Sequence, residues 1–275
     1  FKTVQLGKTI SNIRFVDNKL YLETSIDAYS GSITANLTAD VISENYSASF
    51  NVYDVMVNKL IDDSIALFPD KNPEKKTILK DLQNNVYGRL NMRTNFSGKT
   101  FDNIPVTITG KGTVALTDGT INMTDTGVEL SKKFGMKFME KALPFTDSGF
   151  DFRMLKGRVD LENIRVFNGP DGKDGDIRIR GKGYVTVDNM MDISLENELS
   201  PKTGKDIEKA FAEILGITDI SYAYNPDGWM PLDIRIYGEV KSKKFDYSQK
   251  RMTENIARNL AKKAGEFIEG LFKKR

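Results

Sequence analysis

Twice this chain writes Gly-Lys-Gly inside a run of β-forming residues. The two copies are Ile108-Thr109-Gly110-Lys111-Gly112-Thr113-Val114-Ala115-Leu116-Thr117-Asp118-Gly119 and Ile179-Arg180-Gly181-Lys182-Gly183-Tyr184-Val185-Thr186-Val187-Asp188-Asn189. Gly-Lys is the end of a phosphate-binding loop when four residues separate it from an earlier Gly, Ser or Thr follows, and a helix begins there. Neither copy meets those terms: Gly follows the Lys, and alternating β residues follow the Gly. The pattern therefore predicts strands in which glycine leaves room for a bend or for a neighbouring group. Ile234-Arg235-Ile236-Tyr237-Gly238-Glu239-Val240 is a third, looser copy, so one strand type recurs along the chain.

Other reactive constellations are scarce. The chain has no histidine and no cysteine. The commonest general base, the commonest transition-metal ligand, thiolate nucleophiles and disulfides are all removed together. Asp171-Gly172-Lys173-Asp174-Gly175-Asp176 has the look of a calcium loop, but Lys173 and Lys182 stand where an EF-hand needs an acidic or amide ligand and a Glu. A hairpin turn is the expected structure there. No catalytic residue, metal site or cofactor is predicted, and the expectation is a protein that is not an enzyme.

The elements follow from periodicity. Apolar residues alternate with polar ones along Leu20–Ile26, Ile33–Val41, Tyr46–Val52, Leu90–Phe96, Ile177–Val187, Ile193–Leu199 and Leu232–Val240, with Asp/Asn/Gly-rich breaks between them. These are antiparallel strands with one dry and one wet face. Helical spacing occurs over Val55–Phe68, Asp125–Leu143, Pro201–Leu215 and Ser248–Phe272. The fold class expected is α+β, mostly β: a curved antiparallel sheet forming an open, taco-like groove, with a few inserted helices and a C-terminal amphipathic helix. The helices are few for so much dry sheet, and an exposed apolar face marks a binding surface; the alternative on pattern alone is a sheet that curls on itself or is capped by these helices. At 39% hydrophobic and 28% charged residues the composition suits a folded soluble chain of 275 residues. No apolar run reaches the length of a membrane-spanning helix.

Charge is unevenly placed. Of 40 basic and 38 acidic residues, 11 and 4 fall within 241–275, a local net of +7 that leaves −5 for the rest. Two regions are expected: a β-groove domain at 1–245 and a basic amphipathic helix at 246–275. Arg258, Lys262, Lys263, Phe267 and Phe272 are its candidate contacts with a membrane surface or a partner. The strands are charge-mixed, so no nucleic acid is expected.

The repeated segment carries a resemblance. Gly110 to Ser131, running through Thr117-Asp118-Gly119-Thr120-Ile121 and Asp125 into Val128-Glu129-Leu130, resembles the C-terminal region of AsmA-like proteins. Ala28-Tyr29-Ser30-Gly31-Ser32-Ile33 resembles that family's aromatic-small-Gly turn entering a long strand. Phe152 to Leu199 is similar to the family as well, with Val159–Val166 and Ile177–Val187 followed by Asp192-Ile193-Ser194-Leu195. The resemblance spans about residues 1–245. It implies an envelope protein of a diderm bacterium, periplasmic, tethered to the inner membrane by an N-terminal helix that this fragment lacks. It implies a relative of the bridge-like lipid transfer proteins such as TamB, carrying phospholipid or another acyl-chain lipid toward the outer membrane and supporting its integrity.

A groove for acyl chains would be lined by Leu20, Leu22, Ile33, Leu37, Phe50, Leu90, Met92, Val185, Val187, Ile193, Leu195, Ile234 and Ile236. The alternative is a non-enzymatic scaffold or assembly factor for outer-membrane proteins, with a closed core and envelope protein partners.

Overall fold

A computed structural model describes residues 6–67, 83, 85–99, 104–122, 131–132, 142–169, 175–205, 208, 212–213, 216 and 219–273. Twelve strands form one sheet in chain order. They are β1 (Leu6–Val16), β2 (Lys19–Ala28), β3 (Gly31–Asp40), β4 (Asn45–Met56), β5 (Val86–Lys99), β6 (Thr109–Ile121), β7 (Leu143–Leu155), β8 (Arg158–Phe167), β9 (Ile177–Thr186), β10 (Met190–Leu199), β11 (Met230–Glu239) and β12 (Lys244–Ser248). Each pairs antiparallel with the next, β1 and β12 are the two ends of the order, and the sheet stays curved and open. The described helices are α1 (Val57–Leu67), α2 (Ile104–Thr107), α3 (Pro201–Lys205) and α4 (Lys250–Lys273), with a 3-10 turn at Ile220–Ala223.

The expected helices at Val55–Phe68 and Ser248–Phe272 appear with shifted bounds, as α1 and α4. Val55 is buried one residue before the end of β4, and α1 starts two residues after it. Leu143 opens β7, and most of Asp125–Leu143 lies outside the described residues. So do most of Pro201–Leu215 beyond α3, and Asp171-Gly172-Lys173-Asp174.

Turn chemistry sets the hairpins. Asp17 and Asn18 both have positive φ (49° and 61°), as a two-residue turn matching strand twist requires. Lys156 and Gly157 do the same at β7–β8 (50° and 74°). The β2–β3 turn is less ordinary, because Tyr29 and Ser30 hold φ of 52° and 67°. A tyrosine in that region is strained, and tertiary contacts hold it. The Tyr29 hydroxyl donates to Asp63 on α1 at 2.7 Å, and the Met56 N–H donates to the Tyr29 carbonyl at 3.1 Å. Gly31 follows because a Cβ there would run into the Tyr53 carbonyl.

The connections divide between the two ends of the strands. The turns 17–18, 41–44, 156–157 and 187–189 lie at one end, together with α2. The longer connections carrying α1, α3 and the 3-10 turn lie at the other, and α4 leaves β12 there. Two separate cores form at this second end. Under α1, Val52, Val55, Val57, Ile61 and Leu90 are buried, with Ile33, Met92, Val114 and Leu116 packed against them. Under α4 and the 3-10 turn, Ile177, Leu199, Ile220, Ala223, Met230, Leu232, Ile234, Phe245 and Met252 are buried. The chain exposes 17045 Å², against about 12,000 Å² for a compact protein of this mass. A single open layer accounts for such an excess.

Candidate lipid groove

Register makes the apolar face continuous. Read across the sheet, directly paired residues form one row: Ile13, Leu22, Leu37, Ala48, Phe96, Gly110, Met154, Val159, Val185, Met191 and Gly238. The row crosses eleven strands without a charged residue. At ~4.8 Å per strand it runs roughly 48 Å. A parallel row, one pleat closer to the helices, contains Phe50, Thr94, Gly112, Phe152, Leu161, Gly183, Ile193, Ile236 and Phe245. Bulges in β4, β6 and β8 keep the alternation in phase. The bulged Asp54, Asp118 and Asn163 have positive φ (55°, 49° and 51°).

The paired glycines belong to these rows. A Cβ on Gly110 would strike the Phe96 ring, and one on Gly112 the Phe152 ring at 2.8 Å. A Cβ on Gly181 would lie 2.7 Å from Leu195 Cδ2, and one on Gly183 2.9 Å from Ile193 Cγ1. Side chains from neighbouring strands thus lie flat over the glycines. Phe50 meets Phe96 edge-on and Phe96 stacks on Phe152, each pair at 6.2 Å between centroids. The lysines between the glycines, Lys111 and Lys182, alternate onto the opposite face and are exposed. Gly-Lys-Gly is thus a packing device: thin on the apolar face, charged on the wet one.

The predicted groove residues fall into three groups. Leu20, Leu22, Leu37, Val185, Ile193 and Leu195 are half-buried on the apolar face, and Phe50 there is more exposed. Ile33, Leu90 and Met92 belong to the core under α1, and Ile234 and Ile236 to the core under α4. Val187 sits in the β9–β10 turn, 47% exposed. Phe96, Phe152, Met154, Val159 and Leu161 also line this face but were not among the predicted groove residues, although Phe96 stood in the predicted Leu90–Phe96 alternation. The alternation Phe150-Asp151-Phe152-Arg153-Met154 carried the signal for Phe152 and Met154.

The hairpin end adds an apolar lip. Phe15 and Val16, Val41 and Ile42, Leu155, and Val187 and Met190 are exposed large apolar residues at four of the hairpins on this end, β1–β2, β3–β4, β7–β8 and β9–β10. Ile42 reaches 75% exposure and Phe15 63%. The other end of the groove is plugged by the helices. α4 is fixed there by Arg251, which donates to Asp233 (2.6 and 2.8 Å), to Glu198 (3.3 Å) and to the Asn197 carbonyl (2.9 Å). Glu198 also receives Arg178, which lies 3.6 Å over the Trp229 ring.

Of the residues predicted on the C-terminal helix, Arg258, Lys262 and Lys263 are exposed; the side chains of Phe267 and Phe272 lie outside the described residues. Among the described residues no group of His, Cys, Asp or Glu could hold a metal ion, and no helix is long and apolar enough to cross a membrane. Comparison with protein-family models, with curated proteins and with solved structures finds no match for this chain.

Proposed function

We propose that the apolar face of this sheet binds lipid acyl chains, and that the protein is a non-enzymatic, bridge-like phospholipid transfer protein. The observation that carries this reading is the uncharged row across eleven strands, half-buried over most of its length. An acyl chain spans about half of a ~30 Å hydrocarbon core, so the row has room for about three chains end to end. Each methylene transferred from water contributes ~0.8 kcal/mol. Ten of them give useful affinity with no specific polar contact, and a track without fixed hydrogen-bond partners lets a chain slide. Together with the AsmA-like segments quoted above, this suits traffic of phospholipid between the inner and outer membranes, in the periplasm of a diderm bacterium.

The test is direct. Protein purified without detergent is extracted with organic solvent, and its lipids are quantified by mass spectrometry beside a soluble β-protein control. Near-stoichiometric phospholipid is expected. An empty extract from well-folded protein, together with no uptake of a fluorescent acyl probe, overturns the reading.

A second reading rests on β1. This edge strand is eleven residues long, pairs among the described residues with β2 alone, and exposes Ile10 and Ile13. A long edge strand is a template for strand addition, as a scaffold for outer-membrane proteins would use. That reading expected a closed core; the sheet is open, so it stands on the edge alone. Crosslinking from Asn12 to a partner, with no lipid in the extract, would favour it.

A further inference from the structure

The C-terminal helix does two different things along its length. Its first half is bound to the body. Met252 is buried against the sheet, Asn255 donates to the Ala223 carbonyl at 3.0 Å and to Asn225 at 2.8 Å, and Asn259 donates to the carbonyls of Tyr222 and Tyr224 at 2.8 and 3.1 Å. These amides satisfy the backbone of the 3-10 turn, and Arg251 clamps the helix to β10 and β11. Among the described residues the last bond to the body comes from Lys263, which donates to the Tyr222 hydroxyl at 2.9 Å. From Leu260 to Glu266 every residue is exposed, Leu260 at 49%.

The helix nevertheless continues to Lys273, about ten residues past Lys263, or roughly 15 Å. A helical end of that length gains little from the body it leaves, and packing of its apolar side on another surface would stabilise it. Leu260, Ala264, Phe267 and Leu271 follow one another at steps of four, three and four, which places them on one side of the helix. Arg258, Lys262, Lys263 and Lys273 are interleaved with them, against Glu266 and Glu269. The segment 241–275 carries +7 while the rest of the chain carries −5. Within α4 itself six basic residues stand against three acidic ones, a net of +3.

We infer that the distal half of α4 docks in the plane of a phospholipid bilayer carrying anionic headgroups, anchoring the β12 end of the sheet to that membrane. An apolar stripe backed by basic residues matches that surface: the stripe enters the acyl boundary, Lys263 flanks it, and Arg258 and Lys262 on the polar side stay within the reach of the headgroup charge. The clamp at Arg251, Asn255 and Asn259 makes the helix a rigid arm, so docking fixes the end of the groove relative to the membrane. This inference rests on the proposed function for its purpose but not for its chemistry.

The experiment is vesicle flotation of the whole chain. Neutral phosphatidylcholine vesicles are compared with vesicles containing one quarter phosphatidylglycerol, at low and high salt. Strong flotation with the anionic vesicles, weaker with neutral ones and falling with salt, is expected. Each basic residue near such a surface is worth about a fivefold change, so Arg258→Glu with Lys262→Glu is expected to lower binding by at least about 30-fold. Circular dichroism and urea unfolding verify the fold of this variant, since neither side chain packs on the body. Lys111→Glu, a charge reversal on the wet face of β6, leaves flotation unchanged. Failure of the lipid extract with normal flotation refutes the groove and keeps the anchor. No flotation, equal binding to neutral and anionic vesicles, or binding indifferent to the double charge reversal overturns the anchor.

Discussion

Replacing Leu37 by aspartate places a carboxylate in the apolar row, between Leu22 on β2 and Ala48 on β4. The cost to folding is small. Leu37 is half-buried, so the lost transfer is about 1 kcal/mol, and the lower β-propensity of Asp adds up to ~1 kcal/mol. Both lie well under the ordinary 5–15 kcal/mol of a folded domain. The cost to lipid binding is larger. A carboxylate stays hydrated, so three or four methylenes of a chain crossing that strand lose their dry contact. At ~0.8 kcal/mol each this is about 3 kcal/mol, or roughly 100-fold in affinity. Leu37→Ala, which shortens the side chain without adding charge, is expected to lose less than about tenfold. The assay is displacement of a fluorescent fatty acid, with the lipid-to-protein ratio from mass spectrometry and the fold verified by urea unfolding. A folded Leu37→Asp protein that retains wild-type lipid and wild-type probe affinity refutes the argument that this row is the binding track.

Four further outcomes follow from the geometry. Arg251→Met leaves Asp233 and Glu198 without their shared partner; because Arg251 is partly exposed, the expected loss is about 2–4 kcal/mol in urea unfolding, with Arg251→Lys retaining part of it. Gly183→Val forces a side chain against Ile193 and the Asp192 carbonyl, at about 1–3 kcal/mol, read as a lowered unfolding midpoint. Ile42→Asp with Val187→Asp, both on the exposed lip, is expected to slow lipid exchange between vesicles while leaving the lipid already bound in the groove, which separates loading from holding.

The fourth concerns pH. Burial, with Asp63 beside it, raises the Tyr29 hydroxyl to about 12, above its ordinary value near 10. The unfolded chain therefore gives up this proton first, and the contribution is whole below pH 10 and lost as the pH rises toward 12. Wild-type stability is expected to fall more steeply over that window than that of Tyr29→Phe.

Much of the site was legible in the sequence because a strand has period two. Alternation at Leu20–Ile26, Ile33–Val41 and Ile193–Leu199 put these residues on one face before any pairing was known, and the absence of His and Cys narrowed the chemistry at once. The glycine pairs were legible as strand glycines. What lay over them was not, because Phe96 over Gly110 and Leu195 over Gly181 are contacts between strands, set by register. Nor could alternation separate Leu37 from Leu90. Both are apolar strand residues, but Leu90 lies beneath α1 and Leu37 does not, and the difference depends on where the longer connections gather. The same holds for Arg251 and Arg258, seven residues apart on one basic helix: packing against Asp233 made the first a clamp and left the second free. Sequence by itself determined the faces, through a local period that each strand carries alone. Only tertiary structure decided which parts of the dry face are roofed, because roofing depends on contacts between elements distant in the chain.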